Sequence, residues 1–558
     1  MKKREKRILI VGGVAGGASC AARLRRLCET CDIVLYDKGP HISFANCGLP
    51  YFVGNVIEDE AKLLVATPDL FNHRFNIEVH TEHEVMQINR EAKTILVKNL
   101  QDGSVSEEPY DALVLSTGSK AIRPPLPGID LPGIFVLRTI PDSNKLRNAA
   151  KNAKRAVIIG AGFIGLEMAE NLAKLGLSVT MVEMARQVMP PLDPEMAVYV
   201  ENSLQENGIE LLLGNAVESF SRQHDSLLVH CSAGQDIATD LVLLAIGVLP
   251  ESSLAKQAGL RVGERGGIQV NDSMQTSDPG IWAVGDVIEV SDMVTGQAMS
   301  VPLAGPANRQ GRIAAGAILE SFDKTQRRNL KFRGVQGTAV CQVFTQTIAM
   351  TGASEKSLHR AGMNNYQVVY LHPGHHVGYF PGAHRIHIKL LFAEADGKIL
   401  GVQAVGREGV ARRVDVIAMA MQMGATVFDL EESELCYAPQ FGAAKDPVNM
   451  AGMIASNYLR GDLPLADWSK LKDPEHCLLD VRSESEYQAG KIPTAINIPL
   501  EQLRDRIQEV PDDREIWLVC AVGQRAYYAT RLLQQHGFAV KILSGGMQTW
   551  QAKKQLEA

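Results

Sequence analysis

The chain has 558 residues, of which 46% are hydrophobic and 22% charged, and its formal net charge is -6. This length exceeds what one hydrophobic core can organise, so several domains are expected. The weakly acidic balance gives no reason to expect a nucleic acid or an anionic membrane as partner. Nine scattered cysteines do not make a disulfide scaffold, and they favour a reduced, cytosolic setting.

The N-terminal stretch imitates an export signal. It has a basic start, an apolar run and a small-residue segment, but four glycines break the run and a helical pattern follows it. No run in the chain reaches the roughly 18 apolar residues that a membrane span needs. We therefore expect a cytoplasmic protein without a membrane partner.

The first segment predicts a dinucleotide-binding unit. The apolar strand "RILIVGG" leads into a glycine loop that contains Gly12 and Gly17, and about 20 residues later the strand "DIVLYD" ends in Asp37. Glycines let the backbone approach a pyrophosphate, the following helix N-terminus attracts its charge, and the acid accepts ribose hydroxyls. Val14 stands at the middle glycine position, so this fingerprint is incomplete.

The same layout recurs about 148 residues later, with an intact fingerprint. "AVIIGAGFIGLEMAENL" carries Gly160, Gly162 and Gly165, and the strand "SVTMVE" ends in Glu183. Two such units in strand–loop–helix context predict two dinucleotides bound face to face. A carboxylate at Glu183 accepts a ribose 2′-hydroxyl and repels a 2′-phosphate, which favours NADH over NADPH, although Arg186 could soften that preference.

The stretch "HISFANCGLPYFVG" carries a single cysteine, Cys47, with Ser43 four residues earlier. One cysteine cannot form an internal dithiol. To pass electrons it must form a mixed disulfide with a thiol substrate, or carry an oxidised sulfur itself. A reactive thiol also needs a lowered pKa, from a helix N-terminus or a nearby positive group. The alternative is a small hydrophobic residue without chemistry.

Two further stretches resemble the closing motifs of the two-dinucleotide flavoprotein disulfide reductases. "YDALVLSTGS" ends in Thr117 and Gly118, and "GIWAVGDV" ends in Gly285 and Asp286. The resemblance covers roughly residues 7 to 450. It implies FAD at the first site, with Asp286 on its ribityl chain, a nicotinamide cofactor at the second site, and a C-terminal dimerisation domain.

Two branches of that family use one cysteine. NADH peroxidases and water-forming NADH oxidases carry a histidine in the first glycine loop, where this chain has Ala15. The motifs "SFANCGLPY", "GPANRQGR", "YFPGA" and "YAPQFGAAKDPVNMAG" resemble instead the coenzyme A disulfide reductases. A lysine that this branch often has after "TPDLF" is not evident, and Phe75 lies near its place.

The second resemblance implies a set of site residues. Cys47 is the nucleophile, with Ser43 beside it, and two tyrosines reach the site from the other subunit of a homodimer and assist the departing thiolate. The tyrosines are Tyr379 and Tyr437, and the implied coenzyme A contacts are Ser19, Arg23, Arg26, Ser43, Asn46, Asn308 and Lys445. Arg23 and Arg26, three residues apart on one helix, could meet the phosphates of coenzyme A.

A new unit begins at about residue 466 and resembles a complete rhodanese domain. Its loop "CAVGQR" places Cys520 at a strand end before a helix, where converging N–H groups would stabilise a thiolate or persulfide, and Arg525 adds charge. Related phosphatases have five residues between the cysteine and the arginine. The four found here favour sulfur over phosphate, although a rhodanese fold without activity stays an alternative.

The expected fold is α/β, with two Rossmann-type dinucleotide-binding domains, an α+β dimerisation domain and a C-terminal α/β rhodanese domain. The predicted boundaries are an FAD-binding domain at 1–149 and 270–328, an NAD(P)H-binding domain at 150–269, a dimerisation domain at 329–455, a linker at 456–465 and a rhodanese domain at 466–558. No metal is expected.

The predicted function is FAD-dependent reduction, by NADH or NADPH, of coenzyme A persulfide, polysulfide and coenzyme A disulfide. Coenzyme A and small sulfur compounds are the expected partners. Two alternatives stay open: a peroxide- or oxygen-reducing flavoprotein, and a module that only carries persulfide sulfur. The remaining cysteines are interpreted as structural: Cys20, Cys28, Cys31, Cys231, Cys341, Cys436 and Cys477.

Overall fold

A computed structural model describes residues 6–325 and 328–557. The strands, in chain order, are β1 Arg7–Val11, β2 Asp32–Tyr36, β3 Glu78–His80, β4 His83–Asn89, β5 Thr94–Asn99, β6 Val105–Pro109, β7 Ala112–Leu115, β8 Ser119–Ala121, β9 Ile134–Phe135, β10 Arg155–Ile159, β11 Ser178–Glu183, β12 Glu210–Leu213, β13 Val217–Gln223, β14 Ser226–Cys231, β15 Asp236–Thr239, β16 Leu241–Leu244, β17 Val248–Pro250, β18 Ile268–Gln269, β19 Ile281–Ala283, β20 Ile288–Ser291, β21 Ala298–Met299, β22 Ala339–Val343, β23 Gln346–Gly352, β24 Tyr366–Leu371, β25 Ile386–Ala393, β26 Ile399–Gly406, β27 His476–Asp480, β28 Ile496–Asn497, β29 Glu515–Val519 and β30 Val540–Ile542.

The α-helices, in chain order, are α1 Ala15–Leu27, α2 Leu49–Val53, α3 Pro68–Phe75, α4 Ile140–Ala150, α5 Phe163–Lys174, α6 Pro194–Glu206, α7 Ser253–Gln257, α8 Ala304–Phe322, α9 Glu355–Arg360, α10 Val410–Gln422, α11 Val427–Glu432, α12 Pro447–Leu459, α13 Glu484–Ala489, α14 Gln524–Gln535 and α15 Gly546–Gln555. Among the described residues, no helix combines the length and apolarity that crossing a bilayer requires.

The chain divides into two compact units. The first comprises Met1–Arg186 and Ile209–Val335, and the second comprises Gln187–Gly208 and Gln336–Ala558. Residues 187–208, which the sequence places inside the second dinucleotide-binding domain, therefore pack with the C-terminal half of the chain.

The first unit contains two five-stranded parallel sheets and several smaller ones. One has the strand order β19-β7-β1-β2-β3, and the other has the order β12-β11-β10-β16-β9. Their central strands β1 and β10 pair in parallel on both sides and are buried along most of their length, which is why they read as continuous apolar runs. The carboxyl ends of parallel strands meet at one sheet edge, so each glycine loop opens there. The prediction of two Rossmann-type domains is confirmed.

The second unit begins with an antiparallel sheet of order β22-β23-β26-β25-β24. Within it, the fully buried ammonium group of Lys389 is held by carboxylates from outside the sheet. Its Nζ lies 2.8 Å from Asp193 and 2.5 Å from Glu195, and it also pairs with Glu355. Burial acts to raise the pKa of Glu195, but the charges of Lys389 and Lys553 and the hydrogen bonds from Lys389 and Tyr370 together lower that pKa to about 2. The single ammonium group of Lys389 is thus paired with two buried carboxylates and with the partly exposed carboxylate of Glu355.

The last part of the second unit is a parallel sheet of order β28-β27-β29-β30, flanked by helices. The predicted linker at 456–465 is not a free tether. Its first residues complete α12, and its last residue, Leu465, pairs with Ile542 of β30. The side chains of His372 and Thr549 are joined by a 2.9 Å hydrogen bond between Nε2 and Oγ1, and both residues are buried. The α+β and α/β predictions for this half of the chain are confirmed.

Candidate functional site

The first glycine loop is shaped by glycines that no other residue could replace. A Cβ on Gly12 would lie 2.1 Å from the carbonyl oxygen of Ser116, and a Cβ on Gly17 would lie 1.9 Å from that of Gly12. Asp37 at the end of β2 accepts the Gly13 N–H at 2.8 Å. The predicted glycines and the predicted acid therefore meet at one sheet edge, and this cradle fits a dinucleotide pyrophosphate and ribose.

The second glycine loop repeats this construction. A Cβ on Gly165 would lie 2.0 Å from the Gly160 carbonyl oxygen, whereas a Cβ on Gly162 would meet nothing within 4 Å. Gly162 therefore faces open space, which is where a pyrophosphate needs the backbone to be accessible. Glu183 accepts the N–H of Ala161 at 2.8 Å, and Asp37 accepts the N–H of Gly13 in the same way in the first loop.

The two closing motifs also come together in the first unit. The Asp286 carboxylate accepts hydrogen bonds from Ser119 at 2.9 Å and from Arg138 at 2.7 Å. Gly285 adopts φ 84°, and Gly118 adopts φ 69°, so both turns use the left-handed backbone that favours glycine. Thr117 donates its hydroxyl hydrogen to the carbonyl oxygen of Glu251 at 2.6 Å.

The cysteine loop is fastened to the first glycine loop. The Ser43 N–H donates to the Gly13 carbonyl at 2.8 Å, and Ser43 has a positive φ of 45°. The chain then makes one 3-10 turn, Asn46–Gly48, which presents Cys47 as an exposed thiol before α2. A residue kept for packing would be buried, so the exposure favours a chemical role over the interpretation as a small hydrophobic residue.

The surroundings of Cys47 do not lower its pKa, which is contrary to the sequence-based expectation. Although the residue is exposed, desolvation of the thiol raises its pKa, and the carboxylate of Glu167 raises it further. Arg138 acts in the opposite direction but does not prevail. Within one chain the thiolate is therefore not favoured. Its stabilisation has to come from a bound cofactor, a substrate or another subunit.

Glu167 is a functional candidate that sequence reasoning missed. Burial raises the pKa of this carboxyl on α5 to about 7, and a hydrogen bond from Tyr51, at 3.3 Å, opposes the rise. The residue lies inside an amphipathic helix, and only the fold reveals that its charge acts on Cys47. A carboxyl group that titrates near neutral pH beside a thiol can store or release a proton there.

We expect Glu167 to flatten the pH dependence of Cys47 alkylation. Its raised pKa leaves it neutral below about pH 7 and charged above, and the charge then opposes thiolate formation. Glu167→Gln should make iodoacetamide alkylation of Cys47 about 2- to 5-fold faster at pH 8. The alkylation rate should then follow pH with a single midpoint, that of the Cys47 thiol. Tyr51→Phe is the matched variant, because loss of its hydrogen bond should move the Glu167 midpoint upward. Identical profiles in all three proteins would contradict this coupling.

The predicted coenzyme A contacts of the first unit lie on two packed helices. Ser19 of α1 donates its hydroxyl hydrogen to the side-chain carbonyl of Asn308 on α8. Arg23 and Arg26 follow on α1, where Arg23 is partly buried and Arg26 is exposed. Asn46 lies in the turn of the cysteine loop. The structure therefore brings Ser19 and Asn308 together, and it places the two arginines one and two turns further along α1.

The predicted tyrosines of the second unit form a pair. The hydroxyl groups of Tyr379 and Tyr437 lie 3.0 Å apart, and both rings are exposed. This hydrogen bond raises the pKa of Tyr437. Lys445 is also exposed, immediately before the N-cap of α12. Exposed aromatic side chains of this kind are available to a second subunit.

The rhodanese loop closes around Cys520. The Sγ of Cys520 accepts the Gly523 N–H at 3.2 Å, and Cys520 is only 1% exposed. A persulfide on Cys520 would project its outer sulfur about 2 Å further toward the loop mouth. Arg525 does not point a free charge at the sulfur, because Glu486 holds it in a bidentate pair with two bonds of 2.7 Å.

A disulfide joins Cys28 and Cys31, two of the cysteines that the sequence analysis interpreted as structural. It closes the turn between α1 and β2. Arg25 reinforces the same turn by donating to the carbonyl oxygens of Cys28 and Glu29. Their C-x-x-C spacing is the signal that could have suggested the pair.

Comparisons with known proteins agree with this arrangement. The model of the pyridine nucleotide-disulphide oxidoreductases matches residues 6–311, that of their dimerisation domain matches 338–446, and that of the rhodanese-like domain matches 466–553. The chain belongs to the pyridine nucleotide-disulphide oxidoreductase family. The two cradles therefore fit the FAD and the pyridine nucleotide that this family uses.

Individual relatives extend the similarity to the whole chain. A coenzyme A disulfide reductase of Staphylococcus haemolyticus is 35% identical over 81% of this chain and 99% of the relative. Reduced CoADR-RHD of Bacillus anthracis is 45% identical with a TM-score of 0.95, covering 99% of both chains. An NAD-dependent persulfide reductase from A. fulgidus is 37% identical with a TM-score of 0.90, covering 98% of this chain and 100% of the other.

Proposed function

We propose that this family member is an FAD-dependent NAD(P)H oxidoreductase that reduces coenzyme A persulfide, polysulfide and coenzyme A disulfide through Cys47. The observation that carries the proposal is the exposed Cys47 without a second cysteine in its loop, fastened to the first glycine loop. Such a thiol can form a mixed disulfide with a sulfur substrate. The named reductases that resemble the chain over its length support the same substrates.

Residues already described would hold the cofactors. Gly12, Gly17, Asp37 and Asp286 would hold FAD, and the second loop would hold the pyridine nucleotide with Glu183. FAD, when bound, takes a hydride equivalent from the nicotinamide and returns electrons to the sulfur of the active site. The protein's part is to hold the two cofactors and the Cys47 sulfur in productive positions.

The sulfur chemistry of Cys47 begins with a nucleophilic attack. Its thiolate attacks the outer sulfur of a persulfide, or one sulfur of a disulfide. The substrate S–S bond breaks, a new S–S bond forms at Cys47, and the coenzyme A thiolate leaves. The hydroxyl groups of Tyr379 and Tyr437 donate hydrogen bonds to the departing thiolate. Ser43 and Asn46, from the same loop as Cys47, orient the substrate.

NADH consumption with a panel of acceptors tests this function. The panel is coenzyme A disulfide, coenzyme A persulfide, polysulfide, hydrogen peroxide and oxygen, with the FAD-loaded protein. The sulfur acceptors should give the highest kcat/KM. A higher kcat/KM with oxygen or peroxide would overturn the proposal, and it would favour the activity of the water-forming NADH oxidase of Lactobacillus brevis, which is 26% identical with a TM-score of 0.78. Sulfur transfer without NADH consumption would favour a carrier module.

We expect NADH to be preferred over NADPH. Glu183 accepts N–H groups from Ala161 and Ala185, each at 2.8 Å, which fixes its carboxylate at the end of β11. A fixed carboxylate binds a ribose 2′-hydroxyl and repels a 2′-phosphate. Glu183→Gln should reduce the ratio of kcat/KM for NADH to that for NADPH by about 10-fold, or about 1.4 kcal/mol. Equal or higher kcat/KM with NADPH in the unmodified protein would refute the preference.

We further propose that the active unit is a cytoplasmic homodimer. Its support is the exposed Tyr379–Tyr437 pair, which would serve Cys47 of the other subunit, and the match to the dimerisation domain. Sedimentation at assay concentration should give twice the chain mass. Mixing a Cys47→Ser chain with a Tyr379→Phe, Tyr437→Phe chain should restore part of the activity, because one of the two sites is then intact. An active monomer would contradict the proposal.

A further inference from the structure

The disulfide between Cys28 and Cys31 adds little stability to the turn that it closes. A disulfide stabilises a fold mainly by closing a loop in the unfolded chain, and this effect grows with the length of the loop. Here the two cysteines are only three positions apart. Arg25 already holds the same turn, because its guanidinium donates to the carbonyl oxygens of Cys28 and Glu29 and to two carbonyl oxygens at the end of α3. The fold therefore has little need of this bond, which points to a chemical role.

A cavity beside the disulfide offers a place for a reaction partner. Cys31 is buried, but it lines a cavity of about 670 Å³ at the ends of α1 and α3. A space of this size suits a small ligand. The same cavity is lined by five charged side chains: Arg7, Arg25, Glu29, Asp32 and Glu78. Its occupant is therefore a small hydrophilic molecule.

The charge of the cavity favours a thiol that carries an ammonium group. In the described part of the chain, three carboxylates and two guanidinium groups line the cavity. Arg25 is engaged by main-chain carbonyl oxygens, and Arg7 pairs with Asp32 at 3.4 Å and with Glu108 at 2.8 Å. The carbonyl ends of α1 and α3 add partial negative charge. A cationic aminothiol is favoured here over an anionic thiol such as coenzyme A.

The two sulfur atoms of the disulfide are not equivalent. Cys28 is half-buried, and the hydroxyl group of Thr30 lies 3.8 Å from its Sγ. A disulfide sulfur carries no hydrogen, so the hydroxyl group is the donor. A sulfur that is reached by water and by a hydroxyl group leaves as a thiolate more readily than a buried one. Cys28 also caps the C-terminus of α1, where the helix dipole opposes a thiolate, so the disulfide persists until thiol is in excess.

We propose that Cys28 and Cys31 form a second thiol–disulfide exchange site, which reacts with small aminothiols. An aminothiol thiolate attacks the Sγ of Cys31, the bond to Cys28 breaks, and Cys28 leaves as a thiolate that takes a proton from water. A second aminothiol thiolate attacks the aminothiol sulfur of this mixed disulfide and releases Cys31. Two aminothiols are thereby oxidised to their disulfide, and the protein disulfide is reduced.

This site goes beyond the function proposed for Cys47 and does not depend on it. In the cytoplasm, where we place the protein, disulfides are mostly transient and either catalytic or redox-sensing. The Cys28–Cys31 bond would therefore follow the ratio of aminothiol to aminothiol disulfide around the protein.

The test uses the FAD-loaded protein without NADH, in mixtures of cysteamine and its disulfide, cystamine. Quenched samples are alkylated, and the peptide that contains both cysteines is weighed by mass spectrometry. Excess cysteamine should reduce the disulfide. The anionic thiol 3-mercaptopropionate should reduce it at least about 5-fold more slowly at equal thiolate concentration. A disulfide that stays oxidised in excess cysteamine would overturn the exchange site, and equal rates with the two thiols would overturn its preference for aminothiols.

Variants of Thr30 and Cys28 test the roles of the two sulfur atoms. Thr30→Val removes the hydroxyl group and should slow reduction by cysteamine at least about 3-fold, whereas Thr30→Ser keeps the group and should stay within about 2-fold. Cys28→Ser should retain cysteamine on Cys31 as a stable mixed disulfide after exposure to cystamine. Equal rates in both Thr30 variants, or an unmodified Cys31, would refute Cys28 as the leaving group.

Two further proteins separate this site from stability and from Cys47. The double variant Cys28→Ser, Cys31→Ser should keep its Tm within about 3 °C of the unmodified protein. A larger fall would contradict the minor structural role of the bond. Cys47→Ser should exchange at Cys28–Cys31 at the unmodified rate. The exchange result therefore stands even if the function proposed for Cys47 fails.

Discussion

Cys47→Ser should lower NADH-dependent reduction of coenzyme A disulfide, coenzyme A persulfide and polysulfide by at least about 10³-fold, a barrier increase of roughly 4 kcal/mol. A serine hydroxyl is a far weaker nucleophile than a thiol, and it cannot form the mixed disulfide. FAD binding should persist, because Cys47 is an exposed residue of a short turn and supports none of the described glycine contacts. The measurement is steady-state NADH oxidation, with the flavin absorbance spectrum recorded for each preparation.

Cys477→Ser is the matched control for this substitution. Cys477 lies in β27, is partly buried, and has a free thiol. It should leave kcat/KM with all three acceptors within about 2-fold. Retained turnover with coenzyme A persulfide in Cys47→Ser would disprove the nucleophile assignment, whatever the control shows.

Cys520→Ala should separate the two sulfur sites. Reduction of free coenzyme A disulfide should stay within about threefold, or roughly 0.65 kcal/mol of barrier, because that substrate reaches Cys47 from solvent. The kcat/KM with polysulfide and with protein-bound persulfide should fall at least about 10-fold if, as proposed, their sulfur is first collected at Cys520. Alanine removes the sulfur and adds no bulk beside Gly546, whose Cβ position lies 2.1 Å from the Cys520 carbonyl oxygen.

The two acceptor classes give this experiment its internal control. Equal losses with both would mean that Cys520 supports the fold or the dimer. Full retention with both would mean that the rhodanese site is dispensable for reduction. Arg525→Gln offers a second comparison, since it breaks the pair with Glu486 while leaving the sulfur in place. If Arg525 mainly positions the loop, Arg525→Gln should lower kcat/KM with polysulfide less than Cys520→Ala does.

Most of the fold could be predicted from local patterns. The strand–glycine–helix units at Gly12 and Gly160 carry their own explanation, because the tight turns and close backbone approaches admit only glycine. The loops of Cys47 and Cys520 could also be located from the sequence, because each is a short contiguous segment. Their pairing with particular cofactors required the family resemblance, because periodicity does not distinguish FAD from NAD.

Features that depend on distant parts of the chain were not predictable. Glu167 acquires its raised pKa from burial and from its position relative to other segments, and nothing in its own helix indicates this. The expected lowering of the Cys47 pKa was wrong for the same reason, since desolvation of the thiol and then the carboxylate of Glu167 from α5 raise that pKa. The predicted linker at 456–465 was the interval between the dimerisation and rhodanese resemblances, whereas the pairing of Leu465 with Ile542 comes from tertiary packing.

Lys389 has a consequence for recombining this chain with its relatives. Two of its three carboxylate partners, Asp193 and Glu195, come from residues 187–208, which interrupt the second dinucleotide-binding segment in sequence. A chimera that exchanges the conventional nucleotide domain alone would place foreign residues around a buried ammonium group. Removing the partners of a buried charge costs about 3–5 kcal/mol. A stable chimera must therefore take residues 187–208 and the C-terminal half from the same parent. The segments that have to be exchanged together are separated along the gene.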